Sequence, residues 1–309
     1  MQPRSTRRLL CLLVVAGILL LGCTDPAAAP EPGAPALTET SYLTDDLWDD
    51  GQAEVAFYQV ERSQDQYGRE NKQRFVAGTY LVKHRFSPAE MTKRTDGSGV
   101  SSFKYALFYE VESGSYQYKR NWVVNARQRD LRPFKQSFTS FDWCSNLYRE
   151  VAFPPEGSIE VRKRSDDYGN RRASFSPQPN SYPPAQLPLL IRGLDFSETD
   201  TLSFSVAVAD SAAHVPARAV LRGTETVKTE AGSYEAERIR VTYESAVPSL
   251  IGEESALTEA YWRDTGPERR LVQMAAESGR YRMALVEHLR TPYWKENLWP
   301  KLARIDERP

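Results

Sequence analysis

The sequence predicts an all-β protein with minor helix: an antiparallel, strongly curved sheet, a flattened barrel or a sandwich. Three observations support this prediction. Apolar and polar residues alternate along many short segments beyond residue 45, turn residues separate these segments at hairpin distances, and few stretches have the period of a helix. A signal peptide and a disordered linker are predicted to precede the sheet, so we expect the protein to be exported.

The N-terminus predicts a bacterial lipoprotein signal peptide over residues 1–22. Three arginines precede an apolar run over residues 9–21, and this run is shorter than the roughly 20 residues that a membrane-spanning helix needs. The run ends in Leu-Leu-Gly22-Cys23, which resembles the lipobox of bacterial lipoproteins, where cleavage between Gly22 and Cys23 follows acylation of the cysteine. A plain signal peptide or an uncleaved anchor is the alternative.

We expect Cys23 to hold the chain on a membrane, because two or more acyl chains anchor a protein stably. Thr24 follows the cysteine instead of Asp, which favours the outer membrane in bacteria that use that sorting rule. The predicted location is therefore the cell envelope, on the outer membrane and facing the periplasm, with the inner membrane and the cell surface as alternatives. Residues 23–44 comprise the lipidated cysteine and an Ala/Pro-rich tether without apolar periodicity.

Charge and cysteine content narrow the class of function. Three of the 40 Lys and Arg lie in the signal, so 37 basic and 41 acidic residues remain, a net charge of −4 that does not favour binding to nucleic acid. Cys144 is the one cysteine beyond Cys23, so no intrachain disulfide is expected in the mature chain. Its neighbours are acidic and aromatic, which favours a buried, unreactive thiol.

Residues 45–290 are predicted to form the antiparallel β domain. Segments rich in β-branched and aromatic residues predict its strands. These segments are residues 54–60, 75–84, 104–111, 116–124, 158–164, 203–209, 219–228, 234–243, 257–262, 271–275 and 280–289. Because a sheet of this many strands must protect its edges, we expect it to curl or close. Helical candidates are residues 44–50, residues 187–193 and the tail from residue 293.

No catalytic, cofactor-binding or metal-binding residue is predicted. His84, His214 and His288 are isolated from one another and form no HxxH, HExxH or HxH motif. The acidic residues 45–50 lack the alternation of an EF-hand loop and favour the first turn of a helix. A Gly-rich phosphate loop and a GxSxG nucleophile elbow are both missing from the sequence.

Aromatic residues are dense on the predicted strands around residues 105–148. On the concave face of a curved sheet they would line an apolar pocket for a lipid or another apolar ligand. The residues predicted for this pocket are Tyr105, Phe108, Tyr116, Trp122 and Trp143. The alternative is that these side chains fill the core, because aromatic residues bury large areas.

Residues 291–309 form a tail that mixes aromatic and charged residues. Such a tail would lie on a membrane surface or against a partner, since aromatic residues favour interfaces. The alternative is that it caps the open end of the sheet.

Several motifs follow one another in a recognisable order. Residues 182–209 place a Leu-rich turn ending in Arg192 before a strand, residues 219–243 form a hairpin, and residues 259–289 place Tyr-Trp before two closing strands. This order resembles a family of exported Gram-negative β-sheet proteins catalogued as a domain of unknown function. The resemblance covers most of residues 45–290. It implies a mostly antiparallel, curved or barrel-like sheet and no known catalytic residue.

Two further motifs resemble a lipoprotein subgroup of that family. They are Leu-Trp-Asp-Asp-Gly at residues 47–51 and Phe-Asp-Trp-Cys at residues 141–144. Some members of the subgroup carry the label septum formation inhibitor Maf, which belongs to cytosolic nucleotide pyrophosphatases with a Ser-x-Ser-Pro-Arg-Arg motif. Here Ser87-Pro88 and Ser176-Pro177 lack the arginine pair, and an exported protein would meet no nucleotide pool, so we do not expect pyrophosphatase activity.

The sequence therefore favours a non-catalytic envelope lipoprotein that binds an apolar ligand or docks an envelope partner of unspecified identity. Its expected contact with the membrane is made through acylated Cys23. The alternative is an exported hydrolase whose site gathers residues from distant strands. Asp142, Tyr168 and Arg192 are the residues to test for that activity if a pocket surrounds them.

Overall fold

The computed structural model describes residues 37–66, 69–113, 116–251 and 255–306. The predicted signal peptide, Cys23 and the tether up to residue 36 lie outside the described residues. No helix within the described ranges is both long enough and apolar enough to cross a membrane. Most described residues belong to strands, which confirms the all-β class.

The described strands join into one sheet of sixteen. They are β1 (Ala53–Gln66), β2 (Arg69–Ser87), β3 (Thr92–Arg94), β4 (Val100–Ser113), β5 (Tyr116–Arg127), β6 (Pro133–Phe141), β7 (Asn146–Ala152), β8 (Ile159–Ser165), β9 (Arg171–Phe175), β10 (Ser181–Tyr182), β11 (Thr201–Val208), β12 (Ala213–Thr229), β13 (Gly232–Pro248), β14 (Ser255–Asp264), β15 (Leu271–Ala276) and β16 (Tyr281–Thr291). The helices are α1 (Thr40–Leu43), α2 (Leu187–Gly193) and α3 (Trp299–Asp306), and 3₁₀ turns cover Asp46–Asp49 and Pro184–Gln186.

The sheet is antiparallel and unclosed. Its order runs β10-β11-β12-β13-β14-β15-β16-β1-β2-β4-β5-β6-β7-β8-β9, with β3 paired to β2 beside this path. The short pairing of β10 with β11 is parallel, and the other pairings of the described strands are antiparallel. Since β9 and β10 end the order without pairing to each other, the prediction of an antiparallel, curved sheet is confirmed and closure into a barrel is not observed.

One face of the sheet, here called the inner face, carries the main core. Trp122 on β5 and Phe138 on β6 belong to the same buried cluster as Phe204 on β11 and Ile239 on β13. These strands are far apart in the sheet order, so the sheet must curve for their side chains to meet. Helix α2 completes this core, and each of its residues is buried.

One arginine satisfies the free backbone carbonyls at the C-terminal end of α2. Arg263 on β14 donates from Nη1 to the carbonyls of Ile191 at 3.1 Å and Leu194 at 2.8 Å. Its Nε donates to Glu237 at 2.7 Å, which balances the charge. Carbonyls at a helix end lack intrahelical partners and carry partial negative charge, so a buried cation stabilises them.

The folded part begins earlier than the predicted end of the tether at residue 44. Leu37, Tyr42 and Leu43 are buried in the main core, and Thr38 forms a β-bridge with Leu194. The predicted boundary is therefore wrong. The sequence did not reveal the error, because three apolar residues over this short stretch show no periodicity. The predicted helix at residues 44–50 is a 3₁₀ turn, capped by the Asp45 carboxylate.

A buried ion pair joins α2 to the start of β1. Arg192 donates from Nη1 and Nη2 to the two carboxylate oxygens of Glu54 at 2.7 Å each. Burial raises the pKa of Glu54, but the charge of Arg192 and its hydrogen bonds outweigh burial and hold that pKa at about 2. The Arg192 and Arg290 guanidinium carbons each lie 5.6 Å from the ring centroid of Trp48.

Replacing Glu54 by Gln is expected to lower the free energy of unfolding at neutral pH by about 3–5 kcal/mol, because it leaves the buried Arg192 charge without its partner. The depressed pKa of Glu54 stabilises the fold above the ordinary pKa of 4.5 and ceases to do so as the pH falls toward 2. Urea unfolding across this range should therefore show the difference between wild type and Glu54→Gln shrinking with falling pH.

The matched control is Asp50→Asn, which breaks the more exposed pair of Asp50 with Arg290. A loss of under about 1 kcal/mol is expected there. Equal losses in the two variants would show that the Glu54–Arg192 pair has no special importance for stability.

Candidate functional site

The outer face of the sheet is covered by the C-terminal segment, residues 292–306. Val55 and Phe57 on β1, Val286 on β16 and Ile305 on α3 belong to a second buried cluster, and Tyr293 packs against it. Lys301 of the segment also pairs with Glu287 on β16 at 2.5 Å. The tail therefore lies over the middle strands and not over an open edge, which corrects the expectation that it caps the open end.

A cavity of about 310 Å³ lies between the sheet and the C-terminal segment. Strands β1, β2 and β4 and the segment line it. The lining residues are Val55, Phe57, Tyr80, Phe108, Tyr293, Glu296, Asn297 and Leu298. Ligand pockets span roughly 300–1,000 Å³ and are mostly apolar, so this cavity is large enough for a small apolar group or one alkyl chain.

Gly78 on β2 explains how the rings of Phe57 and Phe108 can both fit in one cross-strand row of the cavity wall. Gly78 lies between Phe57 and Phe108 in the strand register. A Cβ atom at residue 78 would approach the Cζ atom of Phe108 to 2.5 Å. The Phe108 ring therefore lies over a residue without a side chain, an arrangement in which an aromatic ring covers a strand glycine.

Two tyrosines form the wall next to this row. The rings of Tyr80 on β2 and Tyr293 in the C-terminal segment are 4.9 Å apart between centroids. The Phe108 ring lies 6.4 Å from that of Tyr80. Burial raises the pKa of both Tyr80 and Tyr293, so both phenols are neutral at physiological pH and leave the wall uncharged.

A lysine borders the cavity on the outer face of β4. The ammonium of Lys104 lies 5.3 Å from the ring centroid of Tyr80. Among the described residues, no carboxylate lies within ion-pair distance of it. Burial and the charges of Lys93 and Lys104 lower the pKa of His84 to about 4. His84 is therefore neutral at physiological pH and adds no positive charge beside Lys104.

The residues predicted for an inner-face pocket do not come together. Tyr105 and Trp122 are buried in the main core, where Trp122 lies 4.5 Å from Phe138 between ring centroids. The inner face is therefore packed at these positions, and the prediction of a pocket there is wrong. Of the four predicted pocket residues whose side chains the structure describes, Phe108 alone lines the observed cavity, because residues 105 and 108 point to opposite faces of β4.

The other two predicted pocket residues lie elsewhere. The side chain of Tyr116 lies outside the described residues, although its backbone belongs to β5. Trp143 is 78% exposed in the turn between β6 and β7. Cys144 in the same turn is also exposed, which corrects the prediction of a buried thiol. The Asp142 carboxylate accepts from the backbone N–H of Cys144 and Ser145 and holds this turn.

The three residues named for a hydrolase do not form one site. Arg192 is buried against Glu54, whereas Asp142 stabilises the turn after β6 and Tyr168 is exposed in the turn after β8. Within the described ranges, no group of three or more His, Cys, Asp and Glu side chains is placed to hold a metal ion.

Sequence reasoning missed most of the residues that line the cavity. The signal available was the run Ala-Glu-Val-Ala-Phe-Tyr-Gln-Val at residues 53–60, which is apolar at nearly every position. A strand with both faces buried has such a continuous run. It therefore indicates that an element covers the outer face of β1, and the aromatic tail was the available candidate.

No protein-family model matches the chain, and no curated protein matches it. Four solved chains are similar to it, among them two bacterial proteins. One is a β-barrel-like protein of the domain of unknown function DUF1849 from Brucella abortus, with a TM-score of 0.49 and 8% identity over 77% of this chain and 97% of that chain. The other is a putative exported protein with a YmcC-like fold from Bacteroides fragilis, with a TM-score of 0.24 and 8% identity over 76% and 95%. These similarities assign no activity to the chain.

Replacing Gly78 by Ala is expected to destabilise the fold by about 1–3 kcal/mol, the usual cost of overpacking, because the Phe108 ring must move from its position. In a Phe108→Leu background the same substitution should cost clearly less. Denaturant unfolding of the four chains of this double-mutant cycle measures the coupling. Equal costs in both backgrounds would show that Phe108 does not lie over Gly78.

Proposed function

We propose that this chain is a non-catalytic envelope lipoprotein, anchored through acylated Cys23, that binds an apolar ligand in the cavity beneath its C-terminal segment. The observation that carries the proposal is the cavity of about 310 Å³ bounded by Val55, Phe57, Phe108 and Leu298. The anchor is proposed to lie in the outer membrane and to face the periplasm, because Thr24 follows the cysteine.

The N-terminal described residues contact the strand that leads into the C-terminal segment. The described chain enters the fold at residue 37, where the Leu37 carbonyl accepts from the Asp195 N–H at 3.1 Å. Arg290, just before the C-terminal segment, binds Asp50 of the N-terminal residues at 2.7 Å. Residues just before β1 therefore contact the end of β16, from which the C-terminal segment continues.

The size of the cavity implies that it holds a single alkyl chain and that affinity depends on the length of this alkyl chain. Each buried methylene contributes about 0.8 kcal/mol, which corresponds to about a fourfold gain in affinity. Affinity for a homologous series should therefore rise with chain length until the cavity is filled and then level off.

Leu298→Trp is expected to weaken binding of decanol at least tenfold, because the larger side chain fills part of the cavity. Residues 24–309, which contain the folded part but not the acylated cysteine, serve as the protein for calorimetric titration with octanol, decanol and dodecanol. The matched control is Leu257→Trp, since Leu257 is 58% exposed on β14 and does not line the cavity.

The control should bind like wild type. The proposal would be wrong if wild type bound none of the alcohols, or if both tryptophan variants bound decanol as well as wild type does.

A further inference from the structure

We propose that the ligand of this cavity is a single-chain anionic amphiphile, whose alkyl chain enters the cavity and whose head group binds Lys104. This inference rests on the proposed function and specifies the class of ligand. The head group carries a carboxylate, as in a fatty acid, or a phosphate, as in a lysophospholipid, because both are oxyanions that an ammonium binds.

The arrangement of β4 places a cation and an apolar floor on one surface. Lys104, Ala106 and Phe108 alternate along the outer face, so Lys104 lies two pleats from the ring that lines the cavity, about 13 Å along the strand. The Lys104 side chain extends toward the cavity, with its ammonium 5.3 Å from the ring centroid of Tyr80. An amphiphile with its head at Lys104 would therefore run from Tyr80 toward Phe108.

Lys104 is available to an external anion. Its ammonium makes no ion pair with any carboxylate in the described part of the chain, in contrast to Lys119 on β5, which pairs with Glu110 at 2.7 Å. Among the described residues that line the cavity, Glu296 is the one acid, and it is not paired with Lys104. A partly buried cation without a counter-ion gains more from binding an anion than a solvated one does.

Two polar side chains lie beside Lys104. Asn125 on β5 is directly opposite Lys104 in the strand register. His84 is on the neighbouring strand β2, and its Nε2 is buried and has no hydrogen-bond partner among the described residues. The His84 and Asn125 side chains interact with each other, and because His84 is neutral it adds no second charge beside Lys104.

The volume argues against a ligand with two full chains. A cavity of about 310 Å³ lies at the lower end of the range for ligand pockets, and its walls already hold four aromatic rings. One alkyl chain therefore fits the observations better than a diacyl lipid.

The test compares decanoate, decyl phosphate and decanol by calorimetric titration of residues 24–309. Wild type should bind the anion it recognises at least tenfold more tightly than decanol, and added salt should weaken that preference. Lys104→Gln should abolish the preference while decanol still binds, whereas Lys104→Arg should retain it. The matched control Lys119→Gln removes a charge from the same face and should behave like wild type.

The three probes separate the possible results. Tighter binding of decanoate or of decyl phosphate identifies the source of the head group and supports the inference. Equal binding of all three probes, unchanged in Lys104→Gln, would overturn the inference and leave the proposed function standing. If none of the probes bound, the proposed function itself would be wrong. Decanol binding by Lys104→Gln would exclude loss of structure as the cause of its lost preference for the anion.

Discussion

The antiparallel pairing of β1 with β16 joins the two ends of the described chain in the middle of the sheet, and much of the structure depends on it. A strand in this position is flanked by β16 and β2 and needs cover on both faces. Tyr58 and Val60 face the main core, while Val55 and Phe57 face the C-terminal segment. The cavity exists because the segment covers these strands incompletely, between Phe57 and the Phe108 ring over Gly78.

Burying so much of an open sheet also encloses polar groups, and the fold satisfies several of them in clusters. Glu259 on β14 is buried and accepts hydrogen bonds from the hydroxyls of Tyr243, Tyr261 and Tyr281. The Glu54–Arg192 pair likewise satisfies buried polar groups, between β1 and α2. Because an unpaired polar group in such a core costs about 1–3 kcal/mol, these clusters fix which strands can lie beside one another.

Most strands could be predicted from the sequence, because alternation reports a half-buried sheet directly. Strand β6 was missed although it is central to one half of the sheet. Its inward position 136 is a glutamine, whose Oε1 accepts from the Ala185 N–H ahead of α2 at 3.0 Å. A polar side chain at a core position hides the alternation, and only the position of α2 explains why it is there. The short, arginine-rich β9 was missed because it buries little apolar surface.

The site was harder to predict than the fold, because its walls come from distant parts of the chain. Predicting that Tyr80 and Phe108 face the cavity requires the strand register. Predicting that Tyr293 joins them requires the packing of the tail on the outer face. Since Tyr293 and Leu298 belong to the C-terminal segment, a ligand in the cavity contacts the sheet and the segment together. Binding and packing of the segment are therefore thermodynamically linked: whatever free energy the ligand gains from the packed segment is the free energy by which it stabilises that packing.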